Sequence, residues 1–132
     1  MYKSSGRLLY DPTAEKQVKT REDPYWLILE CDAGISLYYR YWLKKAKYID
    51  MIKPAWGAHI SITRGEKITN KDAWKKHSGK KIDFEYVPEV KSNGKHFWLS
   101  VISKELEEIR TELGLSPTPY WGFHLTIGNK KE

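Results

Sequence analysis

One short phrase occurs twice in this chain, as His59-Ile60-Ser61-Ile62 and as His124-Leu125-Thr126-Ile127. The copies begin 65 residues apart in a chain of 132. Each alternates polar and apolar side chains, the period of a strand with one face in a core. On such strands His59 and Ser61 share one face, and so do His124 and Thr126. Ile60, Ile62, Leu125 and Ile127 face the other way. Two half-chains that each supply a strand of this kind must fold against a common interior. That favours an α+β domain of two related lobes around a shared groove.

A single histidine on a strand is commonly just half buried and hydrogen-bonded, and a four-residue match is only a hypothesis. The repetition points to chemistry. Two imidazoles, each beside a hydroxyl, supply what metal-free attack at a phosphodiester needs. One ring takes a proton, the other gives one, and the hydroxyls hold the phosphate oxygens.

Composition bounds the reading. A length of 132 residues with 40% hydrophobic and 30% charged side chains fits one globular domain that buries its own core. No apolar run has the length of a membrane span. Met1 to Arg7 lacks the apolar stretch of a signal peptide, and Cys31 is the only cysteine, so a reducing cytoplasm is expected. Cys31 lies in an apolar run, where a thiol is usually inert. The net charge of +6 favours an anionic partner. Nine Tyr and six Trp exceed what one small core needs, and rings beside positive charge suit bases stacked over phosphates.

Along the chain, residues 1–23 are polar and expected to be irregular, with a turn at Tyr10-Asp11-Pro12 and a mobile loop from Thr13 to Asp23. Tyr25 to Cys31 reads as a buried strand. From Ile35 the period becomes helical, with Ile35, Leu37, Tyr38, Tyr39, Trp42, Leu43, Ala46 and Ile49 falling mostly at helical spacing and its aromatic stripe expected to pack in the core. Asp32 or Ser36 is the candidate cap. Thr69-Asn70-Lys71-Asp72 resembles a capping box for a short helix holding Trp74. Lys81–Val90 and Phe97–Ile102 read as a hairpin about Ser92-Asn93-Gly94. Ser103 caps a second helix that ends at Gly114.

The paired His-x-Ser and His-x-Thr phrases resemble the two-histidine (2H) phosphoesterase superfamily. A narrower resemblance rests on Gly6-Arg7-Leu8-Leu9-Tyr10-Asp11-Pro12, Tyr38-Tyr39, Arg64-Gly65-Glu66, Ile82-Asp83-Phe84-Glu85-Tyr86 and Glu112-Leu113-Gly114-Leu115. With the two histidine phrases, these segments are similar to the anti-CBASS nucleases of tailed phages, which destroy the cyclic oligonucleotides that bacteria use as an infection alarm. The resemblance implies a two-lobed fold, with antiparallel β-sheets lining a central groove and helices outside. It implies a 3′,5′-linked cyclic di- or trinucleotide as substrate, no cofactor, and the cytoplasm of an infected cell as the setting. Ser61 stands where threonine is commoner, which keeps the hydroxyl.

His59 and His124 are then the candidate acid and base, with Ser61 and Thr126 as phosphate donors. Which ring is the base is open. Arg64 offers charge to a phosphate, or a structural ion pair with a nearby acid. Tyr10, Trp74 and Trp121 offer stacking for bases, or packing. Three other readings remain. Two histidines can ligate zinc, but no carboxylate or cysteine cluster completes a site. A module that only sequesters cyclic nucleotides would share the composition. RNA end processing or ligation would share the chemistry. His77 and His96 follow no such spacing and are expected at the surface.

Overall fold

The computed structural model describes residues 1–11, 25–54 and 57–131. The apolar run Trp26–Cys31 forms strand β2, with Leu27, Ile28 and Leu29 fully enclosed. It lies between β1, Tyr2–Tyr10, and β4, His59–Arg64. The β1 strand corrects the expectation of an irregular start. Its central residues Ser4, Ser5 and Gly6 carry no apolar pattern, yet β1 pairs on both edges, with β2 and with β5, Lys81–Ser92. Backbone pairing, with Leu8 and Tyr10 buried at its end, makes this strand. Asp11 follows in a left-handed turn conformation, and the expected loop from Thr13 to Asp23 lies outside the described residues.

β5 turns through the expected hairpin into β6, His96–Ile102. The pairing slips between Tyr86 and Val90, a stretch that contains Pro88, which has no N–H to give to a ladder. β6 pairs with β7, His124–Lys130, which in turn meets β4 through Ile60 and Leu125. Six strands in the order β7-β4-β2-β1-β5-β6 therefore close on themselves as a barrel, all pairings antiparallel. A two-residue strand, β3 (Met51–Ile52), is added to the far end of β7. Closure removes most free edges and packs Ile60, Ile62, Leu99, Leu125 and Ile127 with no exposure. The architecture is α+β.

Helix α1, Ala33–Lys47, starts on Asp32, whose side chain accepts from Gly34 N–H, as one of the two expected caps. Its aromatic stripe departs from expectation. Tyr38 is 60% exposed and Trp42 is 40% exposed, because α1 sits on the barrel mainly through Ser36 and Leu43. The rings border an open groove with Tyr2 and Tyr86 instead. Helix α2, Lys104–Glu112, starts on Ser103, which accepts from Leu106 N–H, and buries Leu106 and Ile109. The expected capping box fails. Asn70 donates its side-chain amide to the Glu112 carbonyl, and only a three-residue 3-10 turn, Lys71–Ala73, forms. Among the described residues, no helix is long and apolar enough to cross a membrane.

Candidate active site

The Ile60–Leu125 bridge fixes the site. β4 and β7 run antiparallel through it, so one step on either side sets His59 across from Thr126 and Ser61 across from His124. Each imidazole thus faces the hydroxyl residue of the other phrase, with the bridge as an approximate two-fold axis. His59, His124 and Thr126 line one cleft of about 450 Å³ together with Arg64, Trp121, Asn93, His96, Phe97 and Trp98. Ser61, the fourth expected residue, is 6% exposed and does not line the cleft.

The structure extends the repeat. Gly57 N–H donates to the Pro54 carbonyl at 3.0 Å, and Gly122 N–H donates to the Pro119 carbonyl at 2.9 Å. Both glycines are left-handed, at φ 69° and 68°. A β-carbon at either would meet nothing, so the requirement is conformational. His59 Nδ1 then lies 2.8 Å from the Gly57 carbonyl, and His124 Nδ1 lies 3.2 Å from the Gly122 carbonyl. A carbonyl only accepts, so each Nδ1 carries the proton and the basic lone pair of the neutral ring is on Nε2. The repeated unit is therefore nine residues long, Pro-x-Trp-Gly-x-His-x-(Ser/Thr)-Ile, at 54–62 and 119–127. The shared prolines, tryptophans and glycines were a signal in the sequence that a reading limited to the histidine phrases passes over.

The symmetry continues past the hydroxyls. The β2–β4 register skips Ile62, and the β6–β7 register skips Ile127. Both histidine strands thus bulge at the same position of the repeat, as strands beside active sites often do. An arginine bonds each bulge carbonyl. Arg110 of α2 donates to Ile62 O at 2.7 Å, and Arg40 of α1 donates to Ile127 O at 2.7 Å. Ser36 of α1 adds a bond to Thr126 O at 3.0 Å. The helices are exchanged, since α1 from the first half holds the second histidine strand and α2 from the second half holds the first.

The other expected site residues divide. Arg64 lines the cleft, with its guanidinium carbon 4.4 Å from the centre of the Trp121 ring. The nearby acid, Glu66, pairs with Arg110, through contacts of 2.7 and 2.9 Å. Trp121 also lines the cleft, and its indole N–H donates to Ser61 O at 3.3 Å, which ties the second turn to the first histidine strand. Tyr10 and Trp74 do not line the cleft. Tyr10 is 8% exposed and packs edge-on against Trp74 at 4.7 Å, with Tyr25 on the same indole, so the packing alternative holds for both. Trp98, Asn93 and His96 were not anticipated. The β5–β6 turn delivers Asn93, and the β6–β7 pairing delivers His96 and Trp98, placing Trp98 opposite Thr126 and its ring 5.6 Å from His124. His96 is exposed as expected, but at the cleft rim, while His77 lies elsewhere, 2.9 Å from Glu112.

Burial sets the electrostatics. It lowers the pKa of His59, with Arg64 adding to the effect and the Gly57 carbonyl opposing it. It brings His124 down to about 4, helped by the charges of Arg64 and His59. Both shifts favour the neutral ring at pH 7, and a phosphate beside them favours the protonated form of either. Burial pushes the Cys31 thiol up to about 12, so it is not a thiolate at neutral pH. Among the described residues, no group of three or more His, Cys, Asp or Glu side chains comes together as a metal site. A larger groove of about 930 Å³ lies beside α1 and shares Phe97 with the histidine cleft, but its walls hold no histidine.

The lowered pKa of His124 has a consequence for stability. An unfolded imidazole titrates near pH ~6.5, so below that pH the unfolded chain binds the proton that folded His124 resists. Its contribution is intact above that value and is lost as pH falls through about 4. Urea midpoints between pH 7.5 and pH 4 are expected to fall less steeply for His124→Gln than for the parent protein. Parallel curves would contradict the assignment.

No family model, curated protein or solved structure matches the chain.

Proposed function

We propose that this protein is a phosphodiesterase of the two-histidine type. It cleaves 3′,5′-linked cyclic di- or trinucleotides by attack of a ribose 2′-hydroxyl on the neighbouring phosphate. The observation that carries the reading is the meeting of His59 and His124 in one cleft, each ring anchored through Nδ1 and each across from the other's hydroxyl residue. One Nε2 takes the 2′-hydroxyl proton as the new O–P bond forms. The other ring, protonated, delivers its proton to the leaving 5′-oxygen. The products of that step are a 2′,3′-cyclic phosphate and a free 5′-hydroxyl. Thr126 and Arg64, which line the cleft, meet charge on the non-bridging oxygens, and Ser61, buried across from His124, supports the strand beside them. The nine-residue repeat with its exchanged helices supports a two-lobed reading of the barrel. The resemblance to anti-CBASS nucleases supports a phage counter-defence role in the cytoplasm of an infected bacterium.

The test is incubation with a panel of cyclic dinucleotides and cyclic trinucleotides in EDTA, with products resolved by mass. Turnover is expected to survive chelation. An analogue with deoxyribose at the scissile position is expected to bind and resist cleavage, because the internal nucleophile is missing. Rapid cleavage of that analogue would refute internal attack. Loss of turnover in EDTA with rescue by one divalent ion would refute the metal-free mechanism. Processing of linear RNA ends with the cyclic substrates untouched would move the assignment to RNA repair chemistry.

A further inference from the structure

The two halves of the cleft differ where the repeat itself does not. Position 64 of the first copy corresponds to position 129 of the second. Arg64 and Asn129 lie towards the far ends of antiparallel β4 and β7, so they mark opposite ends of the site. The Arg64 end is cationic. At the other end Asn129 Oδ1 is 2.6 Å from His96 Nδ1, and the neutral side chains of Asn93 and Trp98 share that wall.

Asn93 is the informative residue. Its Oδ1 accepts from Lys95 N–H at 3.0 Å and from His96 N–H at 2.8 Å. Both partners are donors, so the amide has one orientation, with its NH₂ group turned away from them on a residue that lines the cleft. The tight β5–β6 turn, closed also by Gly94 N–H on Ser92 Oγ at 2.8 Å, holds that donor in place. His96 Nδ1–H donates to Asn129, which leaves its Nε2 as an acceptor in the neutral ring. Trp98 stands beside them as a flat, half-buried ring on the strand opposite Thr126. A ring to stack on, a fixed donor and an acceptor are the elements that read a nucleobase edge, whereas a phosphate calls for donors alone.

We infer that the Asn93–His96–Trp98 end of the cleft is a nucleobase subsite, where the base beside the scissile phosphate stacks on Trp98 and accepts a hydrogen bond from the Asn93 amide. The inference rests on the proposed phosphodiesterase reading for the substrate's identity, but binding tests it separately. Asn93→Asp keeps an oxygen for the two backbone N–H groups and removes the outward donor. The probes are cyclic di-adenylate, cyclic di-guanylate and 2-hydroxypropyl 4-nitrophenyl phosphate. The last is cleaved by internal hydroxyl attack and has no base, so it reports any general effect of the added charge.

For Asn93→Asp, kcat/KM on at least one cyclic dinucleotide is expected to fall by about tenfold more than on the base-free ester, as one unpaired hydrogen-bonding group would produce. The extra loss is expected in KM, and in Kd measured by titration calorimetry. Equal losses on all probes would overturn the subsite, and so would unchanged affinity for both dinucleotides, or no binding of either by the parent protein. If both proteins bind the dinucleotides tenfold apart and neither turns them over, the subsite stands and the phosphodiesterase reading falls.

Discussion

Replacing either His59 or His124 with alanine is expected to lower turnover of a cyclic dinucleotide by about 10²–10⁴-fold, the usual contribution of a positioned acid or base. The double variant should be little worse than either single one, because proton removal and proton delivery belong to one displacement. Binding should persist, since Thr126, Arg64 and the cleft rings remain. The lowered pKa values of both histidines shape the pH profile. The free protein needs one ring protonated, so kcat/KM is expected to peak on the acid side of pH ~6.5, the value of an ordinary imidazole. Single variants that fold normally and retain near-parental kcat would place the chemistry elsewhere.

The largest stability effect is expected at Arg110. Its side chain is 2% exposed, and it holds both Glu66 oxygens, the Ile62 carbonyl and the Ser116 carbonyl. Arg110→Ala removes every one of those donors and leaves a partly buried carboxylate behind. The expected cost is about 3–5 kcal/mol, the range for breaking a buried pair by deleting one partner. Combining Arg110→Met with Glu66→Leu should recover part of the loss, because no charge is then stranded. Urea denaturation decides the matter. A cost below about 1 kcal/mol would mean that solvent reaches Glu66 and replaces the guanidinium. Arg40→Ala at the corresponding bulge of β7 should cost less, since Arg40 is more exposed and carries one bond there.

The histidine strands, the hairpin and both helices were legible because their patterns are local. His59-Ile60-Ser61-Ile62 lies on a strand as written, although all four residues are buried, and Asp32 and Ser103 cap as their chemistry demands. β1 was not legible, because Ser4, Ser5 and Gly6 take their structure from neighbours on both edges rather than from an apolar face. The misreading of α1 has a similar cause. Helical spacing marks a stripe, but contact with β7 selects which part of it is covered, and Tyr38 and Trp42 fall outside. At the site, Trp98, Asn93 and His96 are distant in sequence from both phrases and reach the cleft only through strand pairing. Tyr10 and Trp74 pack together outside the cleft lining for the converse reason, since aromatic identity does not say which side of a barrel wall a ring occupies.

The exchange of helices makes the two halves mutually dependent. A fragment ending soon after β4 would own His59 but lack Arg110, and it would carry Arg40 with no bulge to hold. A fragment beginning there would own His124 and lack Arg40 and Ser36. Neither piece has a complete half-site to inherit, so the cleft can be rebuilt only by complementation, when the two fragments interlock.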